Sequence, residues 1–336
     1  MKLSVIVPVH NGGEGLRCCL QAVARSSRPP DEVIVVDDAS TDASAALARS
    51  LGARVLPLPG PPLGPARARN RGAAAARGDI LVFLDADVVV HGGALERVEK
   101  CFSEHPEIDA LFGSYDTNPP APGLVSRYKN LMHHYVHQQG REEASTFWAG
   151  CGAIRRHIFT AMGGFDESYL RPSIEDIELG CRLRQAGHRI RLYPEVQVTH
   201  LKKWSFVSLL STDIFNRAVP WTHLILHHRC LPADLNLDLR GRLSALSAWA
   251  AVLFVALVFW SSHAWLGLLV AAAVLGILNF DLYRFFARHG GVGFTLGAVG
   301  LHILYLIYSS LTFVLVVALE GLARTGREKA KSVRED

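Results

Sequence analysis

Five apolar residues, Ile80-Leu81-Val82-Phe83-Leu84, run directly into Asp85-Ala86-Asp87. An apolar run this short and unbroken reads as a strand buried on both faces, the kind a parallel sheet covered by helices requires. Two carboxylates, one residue apart, then appear where that strand surfaces. Adjacent acids repel, and buried acids are costly unless something pairs them. A hard divalent cation pairs them, because Mg2+ and Mn2+ prefer oxygen ligands. Open α/β sheets bind ligands at the carboxyl ends of their strands. A cation held there by one or two carboxylates carries phosphates on its other positions, which implies a nucleotide diphosphate. Asp-x-Asp at a strand end also serves as a turn or a helix cap, so the surrounding sequence decides between them.

That surrounding sequence alternates strand and helix. Leu3 to Val9, Glu32 to Val36, Arg54 to Leu58, Ile80 to Leu84 and Ile108 to Phe112 read as strands. Between them, Glu14 to Ser26, Ala43 to Leu51, Ala66 to Arg77 and Gly92 to Cys101 read as helices, the second capped by Ser40 or Thr41. Such alternation implies right-handed crossovers and a mostly parallel sheet. Further on, Phe147 to Ile154 reads as a strand and Ile174 to Ala186 as a helix stopped by Gly187. Arg189 to Tyr193 and Val196 to Thr199 read as two short strands.

Polarity changes sharply near Arg242. Leu243 to Trp260, Ala264 to Phe280 and Gly293 to Leu319 are almost free of charge. A membrane span needs ~20 mostly apolar residues, so the first two are short and the third is long enough. The N-terminus opens as a strand, without the apolar core and cleavage site of a signal peptide, which places the first part of the chain in the cytoplasm. Three spans would put the C-terminus outside, yet that tail carries Arg324, Arg327, Lys329, Lys331 and Arg334, which belong inside. One short segment lying in the membrane plane would resolve the conflict. Between His200 and Arg242, Lys202, Lys203, Trp204, Phe206, Leu209, Leu210, Phe215 and Trp221 suit an interfacial amphipathic helix or one packed on the soluble domain. A net charge of +4 over 336 residues gives no signal for nucleic acid. The six cysteines show neither zinc spacing nor a disulfide framework.

Three successive strand ends carry polar groups toward one crevice. The first ends in Pro8-Val9-His10-Asn11-Gly12-Gly13, a turn or a place where backbone meets a flat ring. The second ends in Asp37-Asp38, able to accept from a base or a ribose hydroxyl, or to cap a helix. The third loop places Arg67, Arg69 and Arg71 near a helix start, where anions bind through backbone N–H groups and guanidinium forks.

With Gly163-Gly164-Phe165-Asp166-Glu167 and Glu175-Asp176-Ile177-Glu178-Leu179-Gly180, these segments closely resemble the family 2 glycosyltransferases of GT-A fold, over roughly residues 1 to 200. The resemblance implies that Pro8, His10, Asn11, Asp38, Arg69, Asn70 and Asp85 bind the nucleotide. It implies that Asp87, with Asp85 and His200, ligates Mn2+ or Mg2+. It implies that Asp176, in its pair with Glu175, is the general base that deprotonates an acceptor hydroxyl. Pro172-Ser173-Ile174-Glu175-Asp176 also reads as a capping box with Ser173 as N-cap, so Asp176 has a competing structural role. His200 equally suits an ordinary surface histidine.

The Gln-x-x-Arg-Trp element of processive synthases is not matched by Gln185-Ala186-Gly187-His188-Arg189, which favours transfer of a single sugar. The expected organisation is a GT-A domain over 1–200, an amphipathic linker over 201–242, two to three transmembrane helices over 243–320, and a charged tail. The expected protein is a multi-pass cell-membrane enzyme with a cytoplasmic catalytic domain. It would move sugar from a nucleotide-diphospho sugar, UDP favoured, to a polyprenyl phosphate, lipid or nascent glycan. Two other readings are a silent membrane scaffold that kept a nucleotide fold and a sugar nucleotidyltransferase. The latter wants a basic Gly-rich loop that His10-Asn11-Gly12-Gly13-Glu14 lacks.

Overall fold

The computed structural model describes residues 1–228 and 239–335, with side chains through residue 323. The chain divides into two compact units, Met1–Ser205 and Phe206–Asp336.

The first unit is built on one sheet. Its strands are β1 Leu3–Val9, β2 Glu32–Asp37, β3 Arg54–Pro57, β4 Ile80–Leu84, β5 Val88–Val90, β6 Ala110–Tyr115, β7 Glu143–Ala144, β8 Cys151–Arg155 and β9 Ile190–His200. The helices are α1 Gly13–Ala24, α2 Ser44–Ser50, α3 Pro65–Ala75, α4 Ala94–Glu104, α5 Leu124–Gln139, α6 Arg156–Ala161 and α7 Glu175–Gln185. Sheet order is β3-β2-β1-β4-β8-β6-β9-β5, with β7 beside β9. The half formed by β3, β2, β1 and β4 is parallel throughout, as the strand–helix alternation requires. The other half corrects the expectation of a mostly parallel sheet. β8 runs antiparallel to both β4 and β6, and β9 is antiparallel to β5 and β7, so the sheet is mixed.

Residue alternation along the strands explains why the runs are wholly apolar. Leu3, Val5, Val7 and Val9 of β1 and Ile80, Val82 and Leu84 of β4 enter one core, packed by α1 and α4. Ile6, Leu81 and Phe83 enter the opposite core, with Phe159, Phe165 and Leu179. Each such side chain, fully buried, contributes about 1.5–3 kcal/mol relative to exposure.

The two short strands expected at 189–199 form one strand, β9, whose pairing with β6 shifts register between Phe112 and Ser114. Gly113 occupies the shift, where a Cβ would lie 2.1 Å from the Val196 carbonyl oxygen. The cap expected from Ser40 or Thr41 is not formed. α2 starts later, with Ala43 at the N-cap position and the Asp42 carboxylate accepting from Ser44 N at 2.9 Å. Cys18, Cys19, Cys101 and Cys151 are free thiols, while Cys181 is disulfide-bonded, against the expectation from spacing. Cys230 lies outside the described residues.

The second unit contains α8 Phe206–Asp213, a π-turn at Ile214–Ala218, α9 Val219–His228, α10 Leu239–Leu257, α11 Ala264–Leu278 and α12 Phe280–Glu335. Helix α12 is two helical segments joined at Gly291, where φ is 73°. Among the described residues, α10 and the Phe280–Ala323 part of α12 are long and apolar enough to cross a membrane. Helix α11 has 15 residues, a length of about 22 Å against a hydrocarbon core of about 30 Å. Large apolar side chains on these helices, such as Leu246, Leu253, Leu266 and Ile277, face outward, as do Phe259 and Trp260 in the turn between α10 and α11.

Candidate active site

The site stands at the carboxyl ends of β1, β2 and β4. Asp87 follows β4 in the turn that leads into β5. Val88 pairs with His200 across the β5–β9 ladder, and Leu201 N donates to the Asp87 carbonyl at 2.9 Å. This pairing brings His200 Nε2 to 3.5 Å from Asp87 Oδ2.

The His200 tautomer follows from its neighbours. Asn130 of α5 donates its amide to the Ser126 carbonyl, at 3.1 Å, so its Oδ1 faces His200 Nδ1, at 2.8 Å. Nδ1 therefore carries the proton, and in the neutral ring Nε2 offers a lone pair toward the Asp87 carboxylate. Two acceptors face each other across that gap unless a proton or a cation lies between them. An imidazole fixed by an outer hydrogen bond and aimed beside a carboxylate is the arrangement metal ligands adopt. The donor set therefore fits a divalent cation. Burial alone would raise the Asp87 carboxyl; a proton on Nε2 would give His200 a hydrogen bond and a charge toward it, and these, with Lys202, outweigh burial and hold the group below its usual range. Tyr115 stacks on His200 at 4.5 Å, and Trp148 meets Tyr115 edge-on at 4.8 Å.

Asp85 is tied to Arg69. The guanidinium of α3 is 4% exposed and joins two acids: Nη2 donates to Asp85 Oδ1 at 2.6 Å and Nη1 to Glu175 Oε1 at 2.8 Å. Its Nε is buried without a partner. The Arg69 fork is thus engaged by two carboxylates. Glu175 is engaged at both oxygens: Oε1 accepts from Arg69 and Oε2 from Ser173 N at 2.9 Å. Breaking a buried pair leaves an uncompensated charge and costs about 3–5 kcal/mol. Arg69→Ala should destabilise the protein by that amount, read as a lower urea midpoint.

Asp176 lies in the first turn of α7, and the expected capping box does not form. Ile174 holds the N-cap position, and it is Glu175 that reaches back to Ser173 N. Asp176 Oδ2 accepts from Ala149 N at 3.0 Å and Oδ1 from Ile177 N at 2.8 Å. Each oxygen keeps a second lone pair. Burial and the neighbouring Glu175 charge push its carboxyl up to about 7. Such a group is a competent base at neutral pH. If transfer needs Asp176 ionised, kcat should fall as pH drops through about 7 and level above it, measured as a pH–rate profile.

Gly180 explains how α7 approaches so closely. A Cβ there would lie 2.3 Å from Phe147 N and 2.7 Å from the Thr146 carbonyl carbon. The segment it protects carries Ala149, whose N–H holds Asp176. Gly180→Ala should cost about 1–3 kcal/mol by overpacking and lower activity through Asp176, checked by thermal denaturation alongside kinetics.

The remaining expected residues organise loops. Asp38 accepts from Leu63 N and Gly64 N, both at 2.8 Å, and is 5% exposed. Asn11, at φ 54°, accepts from Thr41 N at 2.8 Å. His10 Nδ1 donates to the Asp38 carbonyl at 2.7 Å. Pro8 is half-buried within β1. Asn70 commits its amide to Phe165, donating to the carbonyl at 2.8 Å and accepting from N at 2.9 Å, so it fixes the 163–167 loop. For Asp38, Asn11 and Asn70 these side-chain hydrogen bonds go to the protein itself. Tyr115, Asn130, Trp148 and Ala149 belong to the site and were not singled out by sequence. Only Trp148, an aromatic beside Ala149-Gly150, carried any signal.

A parallel half-sheet with Asp-x-Asp at the end of its fourth strand, completed by antiparallel strands that return a histidine to that turn, is the architecture of a GT-A glycosyltransferase. Comparisons with known proteins agree. Residues 4–163 match the family model for glycosyl transferase family 2. Over that stretch the chain is similar to glycosyltransferase family 2. The chain is 32% identical over 209 residues to the pre-mycofactocin glycosyltransferase of Mycobacterium tuberculosis, covering 59% of this chain and 42% of that protein. It is 28% identical over 264 residues to an N-acetylglucosaminyl-diphospho-decaprenol L-rhamnosyltransferase of the same species, covering 68% and 81%. A mannosyltransferase of Pyrobaculum calidifontis, solved with GDP-Man and Mn2+, superposes with a TM-score of 0.59 at 19% identity, covering 89% and 86%. At that identity the likeness concerns the fold. The chain spans less than half the length of the first curated relatives it matches.

Proposed function

We propose that the chain is an inverting glycosyltransferase that moves one sugar from a nucleotide-diphospho sugar to a membrane-associated acceptor. The observation that carries this reading is the Arg69 bridge. One guanidinium binds Asp85, of the Asp-x-Asp turn, and Glu175, the residue before Asp176. The cation mouth and the base-bearing helix are therefore anchored to a common point.

Asp87 and His200 would hold Mn2+ or Mg2+, with Asp85 contributing its second oxygen. When bound, that cation supplies Lewis-acid stabilisation for the charge growing on the leaving nucleoside diphosphate. Asp176 takes the proton from the acceptor hydroxyl. The freed oxygen attacks the anomeric carbon as the bond to phosphate breaks, so the anomeric centre inverts. Tyr115 and Trp148 supply an aromatic wall beside His200.

Two helices of spanning length support a membrane anchor. With α11 too short to cross, two crossings return the basic tail to the cytoplasmic side, in keeping with its Lys and Arg content. The M. tuberculosis rhamnosyltransferase named above, which by its name acts on N-acetylglucosaminyl-diphospho-decaprenol, supports a lipid-linked acceptor here.

The test is a screen of UDP-, GDP- and dTDP-sugars against membrane lipid extract, with the full chain in nanodiscs. The expected product is a sugar-labelled lipid whose formation needs added Mn2+ or Mg2+. Equal transfer to soluble acceptors without lipid would remove the membrane acceptor from the account.

A further inference from the structure

A second group of metal-ligating side chains lies in the C-terminal unit. His223 and His227 stand four residues apart on α9, a spacing that puts both on one helix face. Their rings stack, with centroids 6.0 Å apart and planes within 9°. From α12, Glu320 brings Oε1 to 3.3 Å from His223 Nδ1 and 3.8 Å from His227 Nε2. One ligand atom from each of the three lies within 4.8 Å of the others.

These distances suit a small ion. Ligand atoms bonded at about 2.0–2.1 Å to a tetrahedral ion stand about 3.3 Å from one another. One edge of the triangle already has that length, and the others need to contract modestly. Both histidines are half-exposed and Glu320 is partly exposed, so an ion and a fourth, water ligand can enter from solvent. Two imidazoles and one carboxylate select Zn2+ and its transition-metal neighbours, whereas Mg2+ favours oxygen-only sites. The mouth formed by Asp85, Asp87 and His200 is richer in carboxylate oxygen and poorer in imidazole. Glu320 directly follows the apolar stretch of α12, Gly293 to Leu319, so an ion there would pin α9 to the end of that stretch.

We propose that His223, His227 and Glu320 form a second metal site, of the Zn2+ class, separate from the cation mouth of the sugar-transfer site. It is a site of two imidazole nitrogens and one carboxylate oxygen, and it holds α9 and α12 together.

The experiment uses the full chain without an affinity tag, in nanodiscs, carrying Asp87→Ala so that the other cation site is silent. Equilibrium dialysis against Zn2+ should show one tight equivalent. His227→Ala or Glu320→Gln, added to that background, should weaken it. Loss of an outer partner of a ligand costs 10–100-fold, so loss of a ligand itself should cost at least about 100-fold. Glu320→Gln is nearly isosteric, and an unchanged circular dichroism spectrum confirms that its fold is intact. Co2+ substitution should give visible d–d bands without thiolate charge transfer. Failure of the Asp87→Ala protein to bind any Zn2+ tightly would overturn the site. So would equal retention in Glu320→Gln, or a thiolate band in the Co2+ spectrum.

Discussion

Asp176→Asn should lower kcat by about 10²–10⁴-fold, the range a positioned general base contributes, and should leave nucleotide-sugar binding largely unchanged. Asn has the same shape and keeps an oxygen to accept one of the two backbone N–H groups that orient Asp176. What it loses is the ability to take a proton. Steady-state kinetics beside calorimetric titration of the nucleotide separates the two effects. A kcat within tenfold of wild type would place the base elsewhere. The pH–rate profile adds an independent check, because the inflection attributed to Asp176 should disappear in the variant.

Asp87→Ala should be as severe by a different route. A bound cation stabilises transition-state charge by several kcal/mol. Losing about 4 kcal/mol of that corresponds to roughly a 10³-fold lower rate. The same substitution leaves His200 Nε2 without its carboxylate neighbour at 3.5 Å. Binding of the donor should weaken too, and the weakening should be visible only when Mn2+ or Mg2+ is present. That dependence on added cation distinguishes loss of a ligand from general damage. If donor affinity fell equally with and without the cation, Asp87 would be acting on structure alone.

The parallel half of the sheet was readable from sequence because periodicity and length are local properties. β1 and β4 lie where the apolar runs placed them, and β2 is longer by one residue. The Asp85-Ala86-Asp87 turn at the end of β4 was equally legible, since it directly follows the buried run. The partners that Arg69, Asp38 and Asn70 find within the fold were not. Arg69 finds Glu175 across 106 residues, and no local pattern distinguishes a phosphate-binding fork from one consumed by distant acids. Asp38 and Asn70 bind the main chain of segments 25 and 95 residues away. α5 was missed because Leu124–Gln139 mixes Tyr, His, Lys and Asn with few aliphatic residues, and no side-chain cap marks its start. β5 and β7 have three and two residues and are defined only by their pairing with β9. In the C-terminal unit, composition gave three apolar stretches, the first two both at the short end for a span. Helix length separates them: α11 stops at 15 residues.

The most direct test of the central claim is electron paramagnetic resonance of Mn2+ titrated into the full chain, with and without the nucleoside diphosphate of the donor it turns over. Wild-type protein should capture Mn2+ in a nucleotide-dependent manner, and Asp87→Ala should leave the free Mn2+ signal unchanged on adding nucleotide. Equal nucleotide-dependent capture by both proteins would show that the carboxylate at the end of β4 does not hold the cation.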